Sequence, residues 1–131
     1  MNQAQIIPAT PGKFSRVYPI TLGDTRLLFV SGLAASGNTP SGVGPQTEFI
    51  FQRMQNLLRE HGADLNNVIK LTVILANMDD YAEYNAVRNR IFADVEMAPA
   101  STAFEGRLVA SEYLVEIEAI ALVPVARGAE A

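Results

Sequence analysis

The chain has 131 residues, with 10 basic and 14 acidic side chains, one histidine and no cysteine. This length predicts one domain with a core large enough to fold without stabilising cross-links or bound metal ions. The lack of cysteine excludes disulfides and thiolate chemistry. A net charge of −4 without a basic cluster argues against binding to nucleic acid or to a membrane surface. Charged residues make up only 18% of the chain, against a usual value of about 25%, which indicates an oligomer that covers part of its surface.

The chain shows no sign of a membrane span or a secretion signal. No run approaches about 18 apolar residues, and the N-terminal stretch MNQAQIIPATPGK lacks an apolar signal region. We therefore expect a cytoplasmic protein with a single domain over residues 1–131 and an ordered core at about 14–125. The first dozen residues and the tail Ala126–Ala131 are predicted to fray.

Two strands near the N-terminus form a predicted hairpin. The first lies around Val17–Leu22 and the second, rich in β-forming residues, at Arg26–Leu33, with a turn at Gly23-Asp24 between them. The next stretch, AASGNTPSGVGP, is dense in glycine and proline and is predicted to be an irregular loop.

Two helices are predicted in the middle of the chain. The first runs from Gln46 to His61, because its large apolar side chains recur at helical spacing and Gly62 occupies the position typical of a helix-ending glycine. The second follows an N-cap at Asn77 and runs to about Val95.

Three further strands complete the pattern. They are predicted at Val68–Ala76, Ala100–Val109 and Leu114–Val125, which makes the element order ββαβαββ. The fold class is therefore α+β, with one sheet whose helices can cover only one face.

The last strand carries an unusual pattern on its second face. One phase of the alternation is wholly apolar, whereas the other places Glu116 and Glu118 among large aliphatic residues. Two interpretations remain open. In the first, this face is partly exposed to solvent and both glutamates are solvated. In the second, the face contacts other subunits and at least one glutamate is buried there because it has a function.

Other chemical motifs are incomplete. The glycine-rich loop at residues 37–42 begins like a phosphate-binding loop, but Val43-Gly44 stand where lysine and serine or threonine are required. His61 has no triad around it and is predicted to be a packed or capping residue. No metal site is predicted.

Taken in order, several stretches resemble the Rid (YjgF) family of small imine/enamine deaminases. They are FVSGLAA, HGADLNNVIKLTVILANMDDYAEYNAVRNRIF, APAST and LVEIEAIALV, and the resemblance covers roughly Tyr18 to Val123. It implies a chorismate-mutase-like subunit with one mixed sheet and both helices on one face. Three such subunits would join their sheets into a homotrimeric barrel, with small-molecule clefts at the interfaces.

The resemblance also implies a chemistry. A carboxylate-bearing imine or enamine such as 2-aminoacrylate binds in the interface cleft, water attacks the imine carbon, and ammonia leaves. No metal or organic cofactor takes part. Such a reaction needs a positioned water, a group that orients the water or moves its proton, and a means of holding the substrate.

The family's site residues fall on identifiable positions. The resemblance places the pocket tyrosine on Tyr18, the serine-glycine pair on Ser31 and Gly32, the pocket asparagine on Asn85, and the water-orienting carboxylate on Glu116. Ordinary structural roles remain open for several of them. Tyr18 could pack at an interface, and the side chains of Ser31 and Asn85 could bind local backbone groups.

One position departs from the family's deaminases. They carry an arginine that grips the substrate carboxylate, and here Ser101 stands in its place, followed by Thr102 and Ala103, which would also line the pocket. A hydroxyl cannot replace a bidentate guanidinium, so 2-aminoacrylate is not the expected substrate, and an uncharged or cationic ligand suits the cleft better. Arg16 is the candidate for a substitute anion contact, because Arg107 lies six residues along the strand from Ser101, about 20 Å away, which is too far.

Two functions are compatible with this pattern. The first is a Rid-like hydrolytic deaminase of another small imine or enamine. The alternative is a non-catalytic or regulatory trimer that binds a small metabolite. A ribonuclease activity is disfavoured by the negative net charge.

Overall fold

A computed structural model describes residues 12–125 of the chain. The elements are β1 (Val17–Leu22), β2 (Thr25–Ala34), α1 (Val43–Arg59), β3 (Val68–Leu75), α2 (Tyr81–Ile91), β4 (Ala100–Glu105) and β5 (Val115–Pro124), with 3-10 turns at Leu65–Asn67 and Met78–Asp80. The predicted order ββαβαββ is confirmed. The terminal segments predicted to fray lie outside the described residues, apart from Gly12. Between residues 12 and 125, no helix is long and apolar enough to cross a membrane.

The five strands form one mixed sheet in the order β1-β2-β5-β3-β4. Neighbouring strands are antiparallel except β3 and β4, which are parallel. β1 and β4 therefore lie at opposite edges of the sheet. The predicted hairpin is confirmed, since Leu22 pairs with Thr25 across a turn in which Gly23 has a positive φ of 60°.

The hydrophobic core lies between one face of the sheet and the two helices. The apolar phase of β5 is wholly buried, as the alternation predicts, and it consists of Val115, Ile117, Ala119, Ala121 and Val123. From the helices, Phe51 and Phe92 meet edge to face at 5.4 Å between ring centroids. Burial of each large apolar side chain contributes about 1.5–3 kcal/mol, so this shared core fixes where the helices lie on the sheet.

The opposite side of the sheet, called the open face below, is not covered by either helix of residues 12–125. Its exposed apolar side chains are Tyr18, Leu22, Phe29, Phe104 and Leu122, with Tyr18 61% and Leu22 59% exposed. The register places the Tyr18, Phe29 and Ile120 side chains in one row across this face. The second face of β5 is thus part of a continuous apolar surface.

The first helix starts earlier than predicted. It begins at Val43 instead of Gln46, and the N–H of Gln46 already binds the carbonyl of Gly42 at 3.1 Å. Gly44 and Pro45 suggested a loop. Proline is tolerated in the first helical turn because its missing N–H has no partner to lose there.

The second helix and the fourth strand are shorter than predicted. The second helix ends at Ile91, because the N–H of Ala93 binds the Arg90 carbonyl in the tighter 3-10 pattern. β4 ends at Glu105, where the partner strand β3 has also ended, and not at Val109. Asn77 is an N-cap, as predicted, but it caps the 3-10 turn that leads into α2 and not α2 itself. Its side chain accepts a hydrogen bond from the Asp79 N–H at 2.9 Å.

Candidate active site

A β-bulge in β2 shapes the centre of the open face. Val30 pairs with Ala119 and Leu33 with Ile117, so β2 holds one more residue than β5 between these pairs. The extra length falls at Ser31 and Gly32, the pair singled out in the sequence. The bulge keeps Val30 and Leu33 buried on the helix side while it moves the Gly32 backbone towards β5.

The Glu116 carboxylate lies directly against Gly32. A Cβ at Gly32 would come within 2.3 Å of Glu116 Oε2 and 3.1 Å of its carboxyl carbon, so the close approach requires glycine. Glu116 is half-buried on the open face, and burial raises the pKa of its carboxyl, as does the negative charge of Glu118 to a smaller extent. A carboxylate with a raised pKa is a better proton acceptor, which suits it to general-base chemistry.

Tyr18 and Ser31 line a groove on the open face. The groove has a volume of about 470 Å³, and its walls include Phe14 and Glu118. The Ser31 hydroxyl donates to the carbonyl of Ser15 at 2.6 Å. Glu118 thus borders this groove on the open face, as the alternation in β5 predicts for a residue in the phase of Glu116.

Arg16 lies next to the groove through its backbone. Its carbonyl accepts a hydrogen bond from the Ser31 N–H at 2.9 Å, and its side chain is exposed. The predicted anion contact by Arg16 stays a prediction.

Asn85 lies in a different part of the molecule, on α2. Its side-chain oxygen accepts a hydrogen bond from Arg88, whose guanidinium carbon is 5.6 Å from the centroid of the Tyr84 ring. Tyr84 is fully buried, and burial raises the pKa of its phenol, while Arg88 and Ser101 act in the opposite direction. Neither of them completes a well-formed hydrogen bond with the Tyr84 hydroxyl.

The three predicted pocket residues of β4 do not share a face. The register pairs Ser101 with Leu71, which is on the helix side of the sheet. Ala103 is on that same side, whereas Thr102 is on the open face and accepts a hydrogen bond from Lys70 Nζ at 3.1 Å. Because β4 is an edge strand, side chains from both faces can border a cleft at that edge.

The predicted site residues thus fall into two groups within one subunit. Tyr18, Ser31, Gly32 and Glu116 belong to the open face around β2, whereas Asn85 and Ser101 lie on the helix side near β4. The outer strands β1 and β4 are four strand spacings apart, or about 19 Å. One subunit alone does not bring the two groups together.

Sequence reasoning did not single out Arg88, and it predicted Tyr84 only as a buried residue of the second helix, which is confirmed. The available signal for Arg88 was its position three residues after Asn85 and four after Tyr84, since residues three and four apart on a helix are neighbours. Within residues 12–125, no group of three or more histidine or acidic side chains is arranged to hold a metal ion.

Comparison with known proteins agrees with this architecture. The family model described as Endoribonuclease L-PSP matches residues 7–123. A 2-iminobutanoate/2-iminopropanoate deaminase of Mus musculus is 31% identical over 120 residues, which cover 88% of this chain and 84% of the mouse protein. A RutC family protein of Pyrococcus abyssi is 38% identical over 76 residues, and this match spans only 58% of each chain.

Solved structures with similar folds come from the same family. A YjgF family protein of Neisseria meningitidis superimposes with a TM-score of 0.70 at 28% identity, over 79% of this chain and 87% of that chain. A member of the YjgF/YER057c/UK114 family from Mycobacterium tuberculosis gives a TM-score of 0.74 at 26% identity, over 94% and 98% of the two chains. The chain therefore belongs to the Endoribonuclease L-PSP family, which is the Rid (YjgF) family that the sequence resembles.

Proposed function

We propose that the protein is a hydrolytic deaminase that converts a small imine or enamine to a carbonyl compound and ammonia, in clefts between the subunits of a homotrimer. The observation that carries this proposal is the half-buried Glu116 carboxylate, pressed against Gly32 on the open face, with a raised pKa. The activity for which the mouse relative is named supports an imine as the substrate class.

The reaction needs only water and a proton acceptor. The Glu116 carboxylate accepts a proton from a bound water while the water oxygen forms a bond to the imine carbon, and the C=N electron pair moves to nitrogen. Proton transfer to that nitrogen then allows ammonia to leave as the carbonyl forms, so one water is consumed for each ammonia released. General-base help of this kind contributes about 10²- to 10⁴-fold in rate.

Two features support assembly of the site from more than one subunit. The open face exposes several large apolar side chains that a neighbouring sheet would cover, including Tyr18, Phe29 and Leu122. In addition, Ser101 and Glu116 are two strand spacings apart, about 10 Å, and are offset by three residues, about another 10 Å, along the strands. A small substrate reaches both positions only across a subunit boundary.

The test is ammonia release from imines generated in place by an amino-acid oxidase or a dehydratase. We expect the protein to accelerate ammonia release above spontaneous hydrolysis for at least one small imine or enamine. The proposal is wrong if no imine is hydrolysed faster. If a small metabolite then raises the melting temperature of the inactive protein, the alternative of a non-catalytic binding trimer is supported.

The pH profile gives a prediction about Glu118. Activity should fall as the pH drops through the raised pKa of Glu116, because only the carboxylate accepts the proton. Glu118→Gln removes a like charge that raises this pKa, so the acid limb of kcat/KM should move to lower pH. The matched control is Glu60→Gln, because Glu60 is an exposed residue directly after α1. Its pH profile of kcat/KM should equal that of wild type. An unshifted acid limb in Glu118→Gln would contradict the assignment.

Gly32→Ala gives a second prediction. The backbone of Gly32 is not in the left-handed region, and the added Cβ meets the mobile end of Glu116, so stability should change little. The carboxylate must move, however, and turnover should fall by roughly tenfold or more because the water loses its placement. In a Glu116→Gln background the same change should cost almost nothing further, a double-mutant comparison that isolates the contact. If the losses of turnover caused by Gly32→Ala and Glu116→Gln are additive, Gly32 does not act through the Glu116 carboxylate.

A further inference from the structure

Glu116 lies at the end of the ladder between β2 and β5. Beyond the bulge, these strands pair at two positions in the described chain, and the last of them joins Ala34 to Glu116. Ala34 is also the last residue of β2. The end of β2 and the start of β5, called the strand ends below, are the parts of a ladder that open most readily. The contact between Gly32 and Glu116 therefore depends on what holds the strand ends.

Gln46 of α1 holds the start of β5. Its side chain is fully buried, and its amide group makes three hydrogen bonds to backbone atoms. Nε2 donates to the carbonyls of Glu112 at 2.9 Å and of Pro40 at 3.0 Å, and Oε1 accepts from the Leu114 N–H at 2.8 Å. The Leu114 carbonyl in turn accepts from the backbone N–H directly after β3 at 3.0 Å. The residue two positions before Glu116 is thus bound through both of its backbone groups.

Arg53, further along the same helix, holds the end of β2. Its Nη1 donates to the Ala34 carbonyl at 3.3 Å and to the Ser36 hydroxyl at 2.8 Å, and its Nη2 donates to the Ser36 carbonyl at 3.2 Å. The guanidinium carbon lies 4.6 Å from the centroid of the Phe49 ring, which restrains the side chain further. A second side chain of α1 thus binds the residue that pairs with Glu116.

We propose that Gln46 and Arg53 are positioning residues for Glu116, which hold the strand ends from the helix side of the sheet so that its carboxylate stays against Gly32 on the open face. This inference rests on the proposed deaminase function and extends its machinery to two residues that touch no substrate. A misplacement of about 1 Å can cost roughly 100-fold in rate, so small movements of the strand ends should lower turnover. Substrate binding should change little, because both side chains extend from a helix on the opposite side of the sheet.

The test compares kcat and KM for ammonia release by wild type, Arg53→Met and Gln46→Met. Methionine keeps an unbranched side chain and removes the hydrogen-bond donors, so each variant should lose about tenfold in kcat while KM stays close to that of wild type. Arg59→Gln and Gln52→Met are the matched controls, because both residues are exposed on the same helix, and both variants should match wild type. A wild-type kcat in Arg53→Met and Gln46→Met would overturn the proposal.

A double-mutant comparison distinguishes positioning from a general structural role. In a Glu116→Gln background, Arg53→Met should lower the residual ammonia release no further, because Arg53 acts through the carboxylate. Arg53→Lys should recover part of the lost kcat, since an ammonium can still donate to one of the two carbonyls that Arg53 binds. Additive losses would overturn the proposal. Thermal melting shows whether each variant is folded, and the half-buried Arg53 provides the test if the buried Gln46→Met does not fold.

Hydrogen exchange separates this proposal from the proposed function, because it needs no substrate. In Arg53→Met, peptides that span Ala34 and Glu116 should exchange about tenfold faster, the usual worth of one hydrogen bond, whereas peptides of α2 should match wild type. Unchanged exchange at the strand ends would overturn the proposal. If exchange rises there but wild type releases no ammonia from any imine, the deaminase function fails and the hold on the strand ends stands. If wild type deaminates and Arg53→Met keeps its kcat, the positioning role fails and the deaminase function stands.

Discussion

Glu116→Gln is expected to lower kcat for an imine substrate by about 10²- to 10⁴-fold, since the amide cannot accept the proton of the attacking water. Glutamine keeps the shape of the side chain, so its contact with Gly32 and the pairing of β5 should persist. The measurement is single-substrate ammonia release at saturating imine. Glu118→Gln, which removes the same charge two residues away on the same face, is the matched control and should lose far less.

The same variant should be slightly more stable than wild type at neutral pH. Burial raises the folded-state pKa of Glu116, so the folded protein binds its proton more tightly than the unfolded chain does. The free energy of unfolding therefore declines as the pH rises from the unfolded to the folded pKa and stays lowered above it. Because the group is half-exposed, solvent screening should keep the gain in stability of Glu116→Gln small. An unchanged kcat or a clear loss of stability in Glu116→Gln would contradict the assignment of Glu116 as a partly buried general base.

Leu122→Glu is expected to convert a trimer to monomers. Leu122 lies on the open face in the same phase of β5 as Glu118, and an added carboxylate there would have to be desolvated without a counter-ion when sheets join. Such burial costs several kcal/mol per charge, which is enough to lower association at least about 100-fold. Light scattering at micromolar concentration measures the mass, and the same samples are assayed for ammonia release.

Activity should disappear with the trimer. In one subunit the open-face residues around Glu116 are too far from Asn85 and Ser101 for one small substrate, so a monomer has no complete site. Met97→Glu, at a position 83% exposed outside the sheet, is the matched control and should remain trimeric and active. A wild-type protein that is already monomeric, or a monomeric variant with full activity, would show that the site lies within one subunit.

Several features of the protein could be predicted from the sequence because they depend on neighbours along the chain. The alternation in β5 identified both its buried phase and the second face that carries Glu116 and Glu118. Turn chemistry at Gly23 placed the hairpin turn correctly, and Gly62 has the positive φ, 76°, expected of a helix-ending glycine, although α1 ends at Arg59 and not at His61. The ordered resemblance to the Rid family added the topology and the candidate residues, and the match over residues 7–123 confirms the family.

The lengths of several helices and strands depended on tertiary hydrogen bonds and strand pairing, and not on local residue propensity. Gly44 and Pro45 suggest a loop, yet they form the first turn of α1, whose buried Gln46 side chain donates to the carbonyls of Pro40 and Glu112. β4 was predicted too long because β-forming residues continue past Glu105, whereas its pairing partner β3 stops at Leu75. Local propensity is overridden where a tertiary hydrogen bond is gained or a partner is lost.

By itself, the sequence determined the family, the order of the elements and the strand that bears the acidic pair, since periodicity and motif order are properties of the chain. Only the tertiary structure decided that the bulge in β2 brings Gly32 against Glu116, and that the packing of α1 lets the Gln46 side chain donate to the Glu112 carbonyl. Both contacts join residues far apart in sequence, and each depends on strand register or helix packing. These follow from the collective fit of the core, which no local pattern encodes.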